Sequence, residues 1–341
     1  MKRLLSKLLL FCSPLLVLMV LYFLYDPFKV LRHYNSYYES GGNNYVTLNK
    51  DYVSTENFIN RYPRQQYTSY VLGNSRSIYY EVNTWGQLTG EPADRCYHFD
   101  AYGENLYGVA KKIRFLDNNN CQIKHVLLVI DKVLLEETKN QKKYFRIKHP
   151  AVSGESRLKF QITFFKAFLN YAFLKEFIPA FVFSVKPDSA AGGIFQSIPM
   201  LYDPVTNEQR MEFLEQQIRT NKEQYYLKRK PVFYKRDSLA VNVAPVIGRA
   251  QKKLLTGIKQ VFDKHQTNYK IVVSPLYDQL KLAPVDLLYL QELFGTINVF
   301  DFSGKNAFTE TIENYYEDSH YRPHVADSIM YRIYGQPNEN N

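Results

Sequence analysis

Near one end of the chain a serine stands in a polar turn, Gly73-Asn74-Ser75-Arg76-Ser77, and near the other a histidine follows two carboxylates, Glu317-Asp318-Ser319-His320. A serine hydroxyl is a weak nucleophile until a base takes its proton, and a histidine oriented by a carboxylate does this near neutral pH. The chemistry such a set could perform is acyl transfer, in which Ser75 attacks a carbonyl and His320 carries its proton to the leaving group. Either Glu317 or Asp318 could reach the far ring nitrogen of His320, and the shorter, more easily held arm of Asp318 favours it. Each stretch also has a plainer reading: a strand-to-helix turn with a capping serine, and an ordinary surface histidine. Arg76 could attract an acyl donor or an anionic polymer, or serve only as a surface ion-pair partner.

The turn needs an element behind it. Residues 68–72 are apolar and β-branched and predict a buried strand that breaks at Gly73. Ser75 would then stand at the strand's C-terminal end, ahead of a helix, where free backbone N–H groups can hold an oxyanion. Residues 96–100 and 125–130 read as a second and a third strand, with a helix over 106–116 between them. After a long insertion the pattern resumes with a helix over 248–265, a strand at 270–274, a helix over 284–294, a strand at 296–302 and a final helix over 324–334. Strands alternating with helices predict an α/β fold with a parallel sheet covered on both faces.

The insertion, about 134–237, is expected to be mostly helical. Its aromatic stretch, 160–185, reads as two buried helices broken at Pro179, with a membrane-surface pair or an active-site lid as alternatives. Residues 207–228 read as one charged amphipathic helix. At the N-terminus, Lys2, Arg3 and Lys7 precede an apolar run over 8–25 that would reach about 27 Å as a helix, enough to cross most of a bilayer. No small-residue cleavage site follows, so an uncleaved signal anchor is expected, with residues 1–7 cytoplasmic and the remainder periplasmic or extracellular. Residues 26–66, interrupted by Gly41-Gly42-Asn43-Asn44, read as a stalk and lead-in, and 335–341 as a tail.

Composition narrows the classes. The chain has 341 residues, 45% of them hydrophobic, which is ample for a core, and Lys plus Arg outnumber Asp plus Glu by 43 to 33. That excess suits acidic polymers or anionic head groups. The charge is scattered, and zinc-finger spacing, a glycine-rich phosphate loop and heptads are all missing, so no nucleic-acid partner, metal or other cofactor is expected. Cys12, Cys96 and Cys121 form no CxxC pair. Cys96 and Cys121 would begin the strands flanking the first, roughly 10 Å apart at ~4.8 Å per strand step, which predicts free thiols.

Set side by side, the two ends of the domain resemble the SGNH hydrolase superfamily. More narrowly they resemble its membrane-anchored, extracytoplasmic branch among bacterial envelope and exopolysaccharide proteins, which includes alginate-acetylation and teichoic-acid D-alanylation proteins. Gly73-Asn74-Ser75-Arg76-Ser77 looks like the nucleophile block, Ala101-Tyr102-Gly103-Glu104-Asn105 like the second block, and Tyr316 to Pro323 like the last. The likeness spans about 67–334 and leaves the insertion unmatched. It implies a flavodoxin-like three-layer sandwich of SGNH type, Ser75 as nucleophile, His320 as base and Gly103 as a backbone oxyanion donor. The family's acid usually stands three residues before the histidine, the place of Glu317. Its third block supplies an asparagine amide to the oxyanion. Here that strand ends at Asp131, whose ionised carboxylate would repel an oxyanion, and Asn105 is expected to compensate.

The resemblance implies O-acyl transfer, most simply of an acetyl group, or ester hydrolysis on an envelope or secreted carbohydrate polymer. A transferase of this kind would take its acyl group from a membrane-bound O-acyltransferase partner. The alternative is a catalytically inactive SGNH-like adaptor that binds glycan or such an enzyme.

Overall fold

In a computed structural model of the chain, residues 2–38, 46–185, 200–236 and 239–335 are described. The core is a five-stranded sheet of β1 (Ser69–Gly73), β2 (Cys96–His98), β3 (His125–Ile130), β4 (Asn268–Val273) and β5 (Val299–Asp301). All its pairings are parallel, in the order β2-β1-β3-β4-β5. β1 and β3 are apolar almost throughout and wholly buried, as strands covered on both faces must be.

Side chains alternate between two cores with the period of the strands. Tyr70, Leu72, Val126, Leu128, Ile271 and Val273 face the helices Lys50–Gln65, Leu106–Asn118, Arg249–His265 and Pro284–Phe294. Val71, Leu127, Val129 and Val272 face the helices Val82–Thr89 and Pro323–Tyr334 and the insertion's Glu212–Thr220 and Lys222–Arg229. The result is a three-layer α/β sandwich. In this strand order the chain leaves β1 towards one side and β3 towards the other, so a crevice opens outside their C-terminal ends. Ser75 follows β1 into that crevice, and Asp131 follows β3.

Several expectations change in detail. Residues 26–38 and 46–66, read as a stalk, are built into the molecule: Phe28, Tyr37, Tyr38, Val46 and Leu48 are buried, and Phe58 packs on the sheet. The Asp26 carboxylate accepts backbone N–H bonds from Val30, Leu31 and Arg32 at 2.9, 3.0 and 3.2 Å, which folds the chain back just after the first helix. The Gly41–Asn44 break lies outside the described residues. In the aromatic stretch the helices are Arg157–Phe168 and Tyr171–Phe177, divided at Asn170 rather than Pro179. The Asn170 side chain caps the second helix through the Ala172 N–H, and Pro179 is carried in a wider turn over Ile178–Val182. Phe160, Phe164 and Phe168, four apart on one helical face, are buried with Phe173, Phe177 and Tyr22 in a third, aromatic core. The expected helix over 207–228 is two helices, Glu212–Thr220 and Lys222–Arg229, because the Asn221 side chain starts the second by capping the Gln224 N–H.

The first helix, Lys2–Tyr25, is 24 residues long and has Pro14 inside it. Among the described residues no helix is long and apolar enough to cross a membrane. Cys96 and Cys121 are buried and free.

Candidate active site

The turn after β1 is fixed from three directions. A Cβ on Gly73 would lie 2.6 Å from the Val129 carbonyl of β3, so only glycine lets the two strands run this close at the point where the turn begins. The Asn74 amide donates to the Asp131 carboxylate at 2.6 Å, and the Asn74 side-chain oxygen accepts the Arg76 N–H at 3.1 Å. Ser77, fully buried, bonds back to the Asn74 carbonyl at 2.7 Å and across to Asp100 at the end of β2 at 3.3 Å. Ser75 is left as the turn's outward-facing hydroxyl.

The second piece is a hairpin of β6 (Tyr315–Glu317) and β7 (His320–Tyr321) joined by Asp318 and Ser319. Its register pairs Glu317 directly with His320, so the two side chains share one face as cross-strand neighbours. The His320 Nδ1 is hydrogen-bonded to the Glu317 Oε1, and its Nε2 lies 2.7 Å from the Ser75 Oγ. The other Glu317 oxygen accepts the Ser319 N–H at 2.9 Å. Glu317, rather than the favoured Asp318, therefore holds the imidazole. Asp318 belongs to the two-residue loop, where its carboxylate accepts the Ser319 hydroxyl at 3.1 Å and does not reach His320. Burial pushes the Glu317 carboxyl up, but the hydrogen bond and charge of His320 outweigh it and hold it below the usual carboxylate range. Burial and the neighbouring Glu317 push Asp318 the other way.

Arg76 fastens the two pieces. Its guanidinium donates to the Ser319 carbonyl at 3.2 Å and pairs with Asp131, itself buried, at 3.0 Å. The insertion grips the hairpin from outside: Arg322 forks onto Glu215 of the helix Glu212–Thr220 at 2.9 and 2.7 Å, and the Tyr225 hydroxyl donates to the Tyr316 carbonyl at 3.1 Å.

Gly103 lies in a turn beyond β2 with φ +58°, a left-handed backbone suited to glycine, and lines the same cleft as Ser75 and His320. Among the described residues no acceptor takes the backbone N–H of Ser75 or of Gly103. Asn105 is not placed as an oxyanion donor. It caps the helix Leu106–Asn118, its oxygen accepting the Gly108 N–H at 2.9 Å and its amide donating to the Lys139 carbonyl at 3.0 Å. Asp131 is likewise engaged, with Asn74, with Arg76 and with the Leu134 N–H at the start of the next helix.

The cleft has a volume of about 490 Å³. Its walls are largely apolar, with Tyr79, Tyr102, Phe145 and Tyr316 as the aromatic faces and Met211 and Leu214 from the insertion. Arg146, also from the insertion, adds a guanidinium beside Gly103. No sequence pattern marked Arg146, because it sits in a segment that neither the strand–helix alternation nor the resemblance covered. Among the described residues no group of three or more His, Cys, Asp or Glu side chains could hold a metal ion. Comparison of the chain with protein-family models, with curated proteins and with solved structures gives no match.

Proposed function

We propose that the protein is a serine-dependent acyl-transfer enzyme of SGNH type that acts on envelope or secreted polysaccharide, most simply as an O-acetyltransferase working through an acyl-Ser75 intermediate. One observation carries the reading: Ser75, His320 and Glu317 form a single hydrogen-bonded line that ends at a cleft. The Ser75 Oγ attacks the donor's acyl carbonyl while the His320 Nε2 takes its proton, and Glu317 keeps the ring's tautomer and balances the imidazolium. The oxyanion that forms is within the province of the Ser75 and Gly103 N–H groups, which no described acceptor occupies. His320 then protonates the departing alcohol. In the second half an acceptor hydroxyl, or water in an esterase, repeats the sequence in reverse and restores Ser75.

The anchoring of the domain belongs to the same proposal. The helix Lys2–Tyr25 carries exposed Leu10, Phe11, Val17 and Val20, and in this reading it holds an extracytoplasmic domain at the membrane, beside a membrane-bound O-acyltransferase that loads Ser75. An inactive adaptor would have no use for an assembled base, and the same experiment separates the two. The purified protein is incubated with a chromogenic acetyl ester and the Ser75 peptide is weighed. An acetyl adduct that disappears in His320→Ala supports the enzyme. A folded protein that releases no chromophore and carries no adduct supports the adaptor.

A further inference from the structure

The aromatic stretch of the insertion takes no part in the reaction drawn above, yet it leaves apolar surface uncovered. On the helix Arg157–Phe168 the buried face is Phe160, Phe164 and Phe168. A second stripe, Leu158, Ile162, Phe165 and Leu169, runs beside it at helical spacing. Leu158 is 70% exposed, Ile162 is exposed, and Phe165 and Leu169 are half-buried. Tyr171, which opens the next helix, is 80% exposed. Lys166 and Lys175 stand beside these residues, both exposed, and among the described residues no carboxylate pairs with either.

The neighbour of this stripe says what covers it. The last turns of the first helix pack directly on it, with the Tyr22 ring 5.3 Å from Phe165 and the Tyr25 ring 5.7 Å from Phe177. Farther up that helix Leu15, Leu16 and Val17 are all exposed, although consecutive helical residues point about 100° apart. A helix that is apolar on every side needs apolar surroundings on every side. A protein partner would cover one face of it and leave the others in water, whereas lipid encloses them all. The helix ends in residues that a membrane interface gathers, Tyr25 and Arg32, whose guanidinium donates to the Leu24 carbonyl at 3.0 Å. The stripe starts at that level. Its pattern of apolar side chains edged by lysines suits a helix lying in the plane of the head groups, where lysine stems stay in the apolar layer and their ammonium groups in water.

We propose that the face formed by Leu158, Ile162 and Tyr171 is a membrane seat, embedded at the head-group boundary of the bilayer that the first helix enters. This rests on the anchoring described above and is independent of the acyl chemistry. A single helix is a tether about which a domain can turn; a second contact with lipid fixes how the domain stands. The orientation passes to the cleft through Tyr144. Its ring packs in the aromatic core, 4.9 Å from Phe28 and 5.9 Å from Phe164, and the next two residues, Phe145 and Arg146, line the cleft. The seat thereby sets the direction in which the cleft opens relative to the lipid surface.

The test reconstitutes the full chain into vesicles of phosphatidylcholine and phosphatidylglycerol whose acyl chains carry bromine close to the head group, a contact quencher of tryptophan. The chain's single tryptophan, Trp85, is fully buried, so a tryptophan added at the surface is read against a constant background. Tyr171→Trp should gain an emission that brominated lipid quenches. Leu288→Trp, exposed on the helix Pro284–Phe294 that takes no part in the aromatic core, should gain one that it does not. Adding Leu158→Glu and Ile162→Glu to Tyr171→Trp should abolish the quenching while the protein still floats with the vesicles. Flotation without quenching of Tyr171→Trp overturns the seat and leaves the anchoring in place, and an unquenched but blue-shifted emission there would mean that protein covers the face instead. Equal quenching at Leu288→Trp, or quenching that survives both glutamates, also overturns it. A chain that does not float with the vesicles overturns the anchoring and the seat together. The two single tryptophan variants decide the question even if the glutamates unfold the helix, and none of these readings depends on whether Ser75 is ever acylated.

Discussion

Among the described residues, two groups of acids and bases near the C-terminal ends of the strands differ in access: one opens to a cleft and the other is buried. In the first, the His320 and Glu317 side chains are 27% and 32% exposed, one hydrogen bond from a serine. In the second, Lys50, Lys112 and Lys148 face Asp51, Asp100 and Glu104, with every one of these side chains at 0–1% exposure. Lys112 lies 2.8 Å from Glu104 and 3.1 Å from Asp51, and Lys50 lies 3.4 Å from Asp100. Composition does not separate the two groups; access does. Lys50, Lys112 and Lys148 are sealed from water together with the carboxylates they face, and what the second group does is tie the start of the helix Lys50–Gln65, the Gly103 loop and the Arg146 segment into one body. The open group is held in turn by that scaffold, since Asp100 bonds to Ser77 and Glu104 adjoins Gly103.

Substitutions should therefore fall into two kinds, losses of turnover on the open side and losses of stability on the closed one. The largest effect is expected from Ser75→Ala, on the order of 10⁶-fold in ester turnover with an unchanged melting temperature. A parallel fall in melting temperature would mean that the turn is structural. Glu317→Gln should cost on the order of 10⁴-fold, the scale for losing the group that orients a triad histidine, while Asp318→Asn stays near wild type. The reverse order in a steady-state assay would return the acid's role to Asp318.

On the closed side, Lys112→Met strips the cation from two buried carboxylates and should destabilise the fold by about 3–5 kcal/mol in denaturant melts. The same cluster sets a pH signature. Burial pushes the Asp51 and Asp100 carboxyls up, but the facing lysines and the hydrogen bonds outweigh it and hold both below their usual range. A carboxyl whose folded-state pKa is depressed stabilises the fold fully above its unfolded value, about 3.9, and loses that contribution as pH falls through the depressed value. Acid titration of the wild type should show stability draining away below about pH 4, and Asp51→Asn, weaker at pH 7, should show a shallower slope there. The smallest effect is expected at Asn105. As a helix cap it should cost about 1 kcal/mol of stability on change to alanine. Loss of an oxyanion donor would instead cost on the order of 10²–10³ in kcat, so the kinetics of Asn105→Ala check that assignment.

The open site was more legible in the sequence than its surroundings. An apolar run ending at Gly73 and a serine two residues later locate a strand end and an exposed hydroxyl, and strand–helix alternation locates the parallel sheet, because both are local patterns with one dominant physical solution. The identity of the acid was not local in that sense. Arm length favoured Asp318, whereas a two-residue hairpin loop places Glu317 opposite His320, and that register depends on how the hairpin is gripped by Arg322, Tyr225 and the helices around it. Asn105 looked like a spare amide until its helix was in place. The closed cluster draws its members from residues 50, 51, 100, 104, 112 and 148, and Arg146 from the same distant segment, so no spacing along the chain could have announced either.

The measurement that bears most directly on the central claim is labelling of the folded full chain with a fluorophosphonate, comparing wild type with Ser75→Ala and His320→Ala. An activated serine at the head of the Ser75–His320–Glu317 line predicts labelling of the wild type at Ser75 and its loss in both variants. A folded wild type that takes up no label, or a label that persists in Ser75→Ala, would contradict it.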